Sequence, residues 1–285
     1  MKGVDSFGNM GVEYQWVIDY FSQEDKFWES KHGLGKNKVD YLKKFLSDCD
    51  VADKKQGYLF TDFGKKIKAI GIETSAAWGI LLCNLAHTKK APEGKRETET
   101  QAFKWWIMYT SPGSTYKKED LIEMLRGTLE VESKNPDTTY GHVVSAFKNT
   151  FASNAILGRD IGLGQCVLKE NAKKRVLISI TRGHWHDPVP EVVLYGLYKF
   201  AEACDHYYQF TLETLLDDSI ERDGISPTRI FGLDRNTMVR LLNGLTSSYP
   251  DFISASFTLD LDNITLRENK TAQDVLELFK GGSWA

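Results

Sequence analysis

Between Glu191 and Arg267 the chain reads as three helices followed by a two-stranded ribbon, and this order restricts the folds open to it more than any other stretch. The first helix spans Val192 to Cys204, where Val193, Leu197, Phe200, Ala201 and Cys204 recur at three- and four-residue steps on one face. A short second helix runs from Thr211 to Asp217. After Asp223-Gly224, Ser226-Pro227 supplies an N-cap and a proline at the first helical position, and a longer third helix follows through Met238, Leu241, Leu242 and Leu245. Phe252, Ser254, Ser256 and Thr258 then alternate with Ile253, Ala255, Phe257 and Leu259. Ile264, Thr265 and Leu266 return after Asp262-Asn263, the pattern of a hairpin with one buried face.

Three helices closed by such a ribbon predict the winged-helix form of the helix-turn-helix, with the hairpin as wing. That form suits nucleic acid, and it equally serves as a dimerisation or docking scaffold, since fold alone does not fix function. Around the second helix Asp205, Glu213, Asp217, Asp218, Glu221 and Asp223 outnumber Arg222 and would repel phosphates. Arg229, Arg235 and Arg240 on the third helix act the other way, and Asn236 beside them has the donor and acceptor that read adenine. In this unit DNA is expected to meet the third helix only.

Two further passages show the same order, which predicts an array of related units: 1–87, 101–187 and 188–285, joined by polar tracts at Thr88–Thr100 and Glu130–Thr138. In the first, Gly33-Leu34-Gly35 precedes a helix from Lys36 to Asp48 with Val39, Leu42, Phe45 and Leu46 inward. Gly57 to Thr61 reads as a wing strand, and Asp62 to Ile67 starts the next helix. From Lys31 to Lys68 there are ten lysines against five aspartates, an excess of five positive charges in a chain whose formal total is −3. Lys36, Asn37, Lys38, Lys43 and Lys44 are therefore candidate phosphate contacts. In the middle passage Tyr116 to Glu119 opens a helix through Leu121 and Leu125. Asp137-Thr138-Thr139 caps another through Val143, Val144, Phe147 and Phe151. Val167-Leu168 and Val176 to Ile180 then form a hairpin whose tip carries Lys173, Lys174 and Arg175, suited to backbone contact although tips are commonly charged for solubility.

The fold class expected is mainly α with small β-hairpins (α+β), as tandem winged-helix units. No apolar run approaches the roughly 20 residues of a membrane span, and Met1 to Asp5 lacks signal-peptide character, so a cytoplasmic protein without membrane contact is expected. Cys49, Cys83, Cys166 and Cys204 are far apart and read as reduced thiols rather than metal ligands. Gly35-Lys36 is not a phosphate loop: the earlier glycine would fall on Ser30, and Asn37 stands where Ser or Thr is needed. Gly158, Gly162 and Gly164 miss the dinucleotide fingerprint. One polar cluster remains, Thr181 to Asp187. In an extended chain its His184 and His186 share a side, and with Asp187 they offer a divalent ion three ligands. The competing reading is a structural turn into Pro188 and Pro190.

The runs Asp187 to Tyr195, Tyr207 to Leu212, Ile225 to Leu233 and Phe257 to Asp262, with Leu34-Gly35-Lys36-Asn37 before Val39, resemble a bacterial domain of unassigned function associated with DNA phosphorothioation and phage-defence gene clusters. The resemblance covers most of the chain. It implies one of two roles: the nicking component of the single-strand phosphorothioation system, or a segment fused to or encoded beside a phosphoadenosine-phosphosulfate-reductase-like ATP pyrophosphatase. This chain has no Ser-Gly-Gly-x-Asp-Ser loop of that pyrophosphatase, so under the latter it is an accessory part. The expectation is a non-catalytic, DNA-engaging accessory protein with no cofactor. The alternatives are a metal-dependent nickase using His184, His186 and Asp187, and a scaffold that docks sulfur-transfer proteins without touching DNA.

Overall fold

The first helix, α1 (Tyr14–Gln23), turns Trp16, Val17, Tyr20 and Phe21 inward, and α2 (Lys36–Asp48) does the same with Leu42, Phe45 and Leu46. The strands β1 (Ala52–Asp53) and β2 (Leu59–Phe60) pair antiparallel in a minimal hairpin. Thr61 accepts the Gly64 N–H at 2.9 Å and starts α3 (Asp62–Ile70); Thr74 does the same for Ala77 at 3.2 Å and starts α4 (Ser75–Ala86). The computed structural model describes residues 6–30, 32–88, 102–128, 134–171, 174–217, 224–258 and 261–279.

Helix α4 is apolar on every side, so it has no solvent face and belongs in the interior. It packs against α3, against α5 (Ala102–Tyr109) and against elements from the rest of the chain. After α5 come β3 (Thr115–Lys117), α6 (Lys118–Thr128) and α7 (Pro136–Ala146). Asn135 rather than Asp137 caps α7: Pro136 occupies the first turn, and the Asn135 side-chain oxygen Oδ1 accepts the Thr138 N–H at 3.4 Å. Two π-helical turns, Phe147–Ala152 and Ile156–Asp160, lead into β4 (Gln165–Asn171) and β5 (Lys174–Thr181). The strands lie in the order β3-β5-β4, with Ile180 between Tyr116 and Cys166.

The last part repeats this arrangement. It runs α8 (Pro190–Ala203), β6 (Gln209–Phe210), α9 (Leu212–Leu216), α10 (Pro227–Phe231), α11 (Arg235–Ser248), β7 (Ile253–Thr258) and β8 (Leu261–Leu266). Its strands lie in the order β6-β8-β7, with Ile264 between Phe210 and Ala255. Ile253 is buried while Ser254 and Ser256 are exposed, as the alternation requires. A capping box between Thr271 and Asp274 then starts α12 (Ala272–Val275), which packs with the following 3-10 turn, Leu276–Phe279, on α8.

The molecule is α+β, with a continuous hydrophobic core from Phe7 to Phe279. Among the described residues no helix is long and apolar enough to cross a membrane. Two expectations need correction. The predicted third helix is two helices: Gly232 at φ +67° closes α10, and a Cβ there would stand 2.9 Å from Pro112 Cγ, so the break is built around glycine. The first part of the chain does not repeat the order of the other two. Gly57 and Tyr58 both take left-handed backbone (φ +72° and +65°), so of the expected wing strand only Leu59 and Phe60 pair.

Candidate nucleic-acid interface

Gly35 is the N-cap of α2 and has no side chain to satisfy the first-turn N–H groups, while Lys36 and Asn37 are exposed beside them. The positive end of the helix and the Lys36 ammonium thus open on the same side. The other three lysines of this helix already have partners. The Lys38 ammonium lies 4.9 Å over the Trp16 ring and 4.0 Å from the Glu13 carboxylate. That of Lys43 lies 4.9 Å over Trp28 and 4.8 Å over Tyr58. Lys44 holds the buried Asp48 carboxylate at 2.6 Å. The engagements of Lys38 and Lys43, at half-exposed sites, are each worth about 1 kcal/mol or less, so a phosphate can compete for those two cations. Lys44 is held more firmly, since its departure would take this cation from a buried carboxylate.

At the other end of the molecule the arginines divide by role. Arg229, on α10, donates from Nε to the Ile107 carbonyl at 3.1 Å and from its terminal nitrogen to the Met108 carbonyl, which places its guanidinium on the last turn of α5. Arg182, only 1% exposed, donates to the Trp106 carbonyl and Thr110 hydroxyl at 3.4 Å, and to the Arg229 carbonyl at 2.6 Å. The last turns of α5 and α10 therefore direct carbonyls onto these two cations. Arg229 is braced as a structural residue, and the sequence carried no sign of it because Ile107 and Met108 are far away in the chain.

Arg235, Asn236 and Arg240 lie on α11 and are exposed. Asp234 caps the helix by accepting the Thr237 N–H at 2.8 Å, and this bond, with the Thr237 hydroxyl, holds its carboxyl below the usual carboxylate range. Arg235 pairs with Asp262 at 3.5 Å and approaches Glu213 at 4.0 Å, so part of its charge is spent on the hairpin and on α9. Asn236, Arg240, Asn243 and Ser247 form a polar stripe at helical spacing along the outer face of α11. Arg240 forms no ion pair among the described residues. Of the acidic flank expected here, Asp218, Glu221 and Asp223 lie outside the described residues, as does the Arg222 set against them.

The basic tip of the middle hairpin is only partly placed: Lys174 and Arg175 open β5 opposite Asn171 and Glu170, and Lys173 lies outside the described residues. Below the tip the hairpin exposes Val167 (55%), Val176 (43%), Ile178 (42%) and Leu168 (37%). Sequence alternation did not single these out, because the register shifts between Val167 and Leu168, where Ile178 of β5 is the extra residue without a partner in β4.

The segment Thr181 to Asp187 is a backbone junction. Gly162 (φ +71°) lies so close that a Cβ there would be 2.2 Å from the His184 carbonyl oxygen, and Trp185 is buried against Phe231. His184 and His186 do share a side, with ring centroids 6.2 Å apart. Among the described residues no group of three or more His, Cys, Asp and Glu side chains is gathered closely enough to hold a metal ion. Cys49 and Cys83 are buried, Cys166 and Cys204 partly so, and all four are free thiols.

Sequence reading also missed a cleft where the middle and last parts meet. A cavity of about 300 Å³ is lined by Thr110, Pro112, Leu216, Arg229 and Asp234, and a shallower one beyond Leu216 by Glu213, Asp217 and Arg235. Its lining comes from three separated stretches, so no local motif announces it. Comparison of the chain with protein-family models, with curated proteins and with solved structures finds no match.

Proposed function

We propose that this protein is a non-catalytic accessory that engages DNA through two outer surfaces, the N-terminal turn of α2 and the polar stripe of α11, on a scaffold of winged-helix-like units. The observation that carries the reading is the recurrence, in the middle and last parts of the chain, of a helix, a short strand, further helices and a hairpin whose returning strand lies between the other two. A winged helix orders its strands in the same way, which supports the reading, and in the last part Asn236 and Arg240 of α11 are exposed. Lys36 and Arg240 supply phosphate contacts; Asn236 and Arg240 have the paired donors and acceptors that read base edges. The resemblance of the runs around Asp187, Ile225 and Phe257 to a domain of phosphorothioation and phage-defence clusters supports DNA of that system as the target. It also supports a pyrophosphatase-like sulfur-activating protein as the partner.

The test is a salt titration of duplex binding. Log affinity falls linearly with log salt by about 0.9 per neutralised phosphate, so the double variant Lys36→Ala, Arg240→Ala flattens the slope by about two. An unchanged slope removes both surfaces from the interface. A second reading, protein docking, is favoured by one observation: the apolar surface of Val167, Leu168, Val176 and Ile178 on the middle hairpin. It predicts that Ile178→Lys abolishes capture of the sulfur-activating partner and leaves DNA affinity intact.

A further inference from the structure

We infer that the face formed by Trp28, His32, Lys43 and Tyr58 is a stacking platform for unpaired bases, so that this protein binds single-stranded nucleic acid at a site separate from α11; the inference rests on the DNA-engaging reading above. Tyr58 holds a left-handed backbone at φ +65°, uncommon for a bulky side chain and maintained only where the surroundings over-determine it. Here they do. Its N–H donates to the Asp53 carbonyl at 2.8 Å, and its own carbonyl accepts from Tyr20 Oη at 2.8 Å and from Trp28 Nε1 at 3.1 Å. The locked turn brings the Tyr58 ring beside Trp28, with centroids 6.1 Å apart, and His32 lies 6.3 Å from Trp28, stacked on the buried Phe27 at 4.9 Å. All three rings remain partly exposed. This is a rigid aromatic surface that the core has not absorbed.

Its electrostatic setting selects the ligand. Lys43 lies across the Trp28 and Tyr58 rings, and Lys26, Lys36, Lys54 and Lys55 are exposed on the neighbouring turns with no ion pair among the described residues. The exposed acids on the same turns are Glu29, Asp40, Glu24, which pairs with Lys68, and Asp50, whose Oδ2 accepts from Asn84 at 3.4 Å; they are fewer than the five cations, and Asp53 is occupied with the Lys55 N–H. A cationic peptide, which aromatic rings alone would welcome, is repelled here. A polyanion bearing π-faces fits: bases stack on the rings, and the Lys43 ammonium, on a flexible four-carbon stem, exchanges the rings for a phosphate. Duplex bases have their faces covered by their neighbours, so the strand must be single.

The experiment uses the full chain and measures the anisotropy of a labelled oligothymidylate of about 12 nucleotides, a site-size length for such platforms, and of a duplex of equal length. The variant Tyr58→Gly removes the ring and suits the left-handed turn, so the fold is retained, which far-UV circular dichroism checks. Loss of one stacked base weakens single-strand binding by about tenfold or more, with duplex affinity unchanged. The fluorescence that distinguishes the intact protein from Trp28→Phe is quenched by the oligonucleotide. Unchanged single-strand affinity in Tyr58→Gly, with duplex binding intact, overturns this inference alone, as does displacement of the oligonucleotide by a lysine-rich peptide that itself binds the rings. Binding to neither strand form overturns the DNA-engaging reading and this inference with it.

Discussion

The middle part, α5 to β5, and the last, α8 to β8, run their strands in the same order and around the same kind of residue, yet they offer solvent different hairpins. In one sheet Ile180 is buried between Tyr116 and Cys166, and in the other Ile264 between Phe210 and Ala255. Beyond that shared centre the middle hairpin continues as apolar strands with a basic tip, while the last carries serines outward and closes on Asp262. The same topology thus supports opposite surfaces, and function has to be argued from side chains rather than from strand order.

The largest expected effect tests this contrast directly. Ile253→Ala, deleting a wholly buried side chain of the last hairpin, costs about 2–5 kcal/mol in urea denaturation. Ile178→Ala, deleting one that is 42% exposed on the middle hairpin, stays within about 1 kcal/mol. Equal losses would mean that the middle hairpin is covered in solution, and the comparison would break.

Next in size is the bond between the two parts. Arg182 stands at the end of the middle sheet and donates to carbonyls at the ends of both α5 and α10. Arg182→Met keeps much of the volume and takes this donor from the Arg229 and Ile230 carbonyls at the end of α10, at a cost of about 3 kcal/mol. If this guanidinium is what couples the parts, Arg182→Met unfolds in two transitions where the native chain unfolds in one; a lowered but still single transition would assign the coupling to the apolar core around α4.

What the sequence disclosed follows the same division between local and distant causes. The helix Lys36–Asp48 was legible to its ends, because its apolar positions recur with helical spacing after a glycine pair. The hairpin from Ile253 to Leu266 was legible because one face alternates. The strands β3 and β6 were not: at three and two residues they have no period, and they exist because β5 and β8 offer an edge. Helix α4 escaped for the opposite reason, being apolar on all sides and therefore without a stripe to detect. In the candidate site, the identities of Lys36, Asn236 and Arg240 could be read, but not which cations were already engaged. The partners of Lys43 and Arg229 lie many residues away, and only the fold brings them together.

A third prediction concerns pH. His87, at the end of α4, accepts the Ile225 N–H on Nε2 at 3.2 Å and has Nδ1 2.8 Å from the Cys83 carbonyl, so the neutral ring donates from Nδ1 and ties α4 to the last part of the chain. Burial, which penalises the cation, lowers its pKa from 6.5 to about 4. The unfolded chain therefore takes up a proton that the folded one refuses. Stability from this group is full above about pH 6.5 and is lost as pH falls towards 4, by about 3 kcal/mol in all. Urea midpoints of the native protein should fall across that window more steeply than those of His87→Gln. Parallel curves would show that another group carries the acid sensitivity.

The smallest effect separates the two hairpins by charge. Arg235 pairs with Asp262 at 3.5 Å from a position 52% exposed, so the pair contributes little to stability, and Asp262→Asn should change it by no more than about 0.5 kcal/mol. What it changes is the field at the start of α11. With the carboxylate gone, Arg235 keeps only the 4.0 Å approach to Glu213 and becomes available to a phosphate. Duplex affinity at low salt should then rise by about two- to threefold, and the dependence on log salt should steepen by up to about 0.9, the share of one added contact. Arg235→Ala placed on top of Asp262→Asn must return both quantities to their starting values. If the double variant keeps the gain, removal of a repulsive charge from the hairpin is the cause and Arg235 does not touch the DNA; if affinity falls in Asp262→Asn itself, the last hairpin orients α11 through that pair, and Asp262 is a positioning residue.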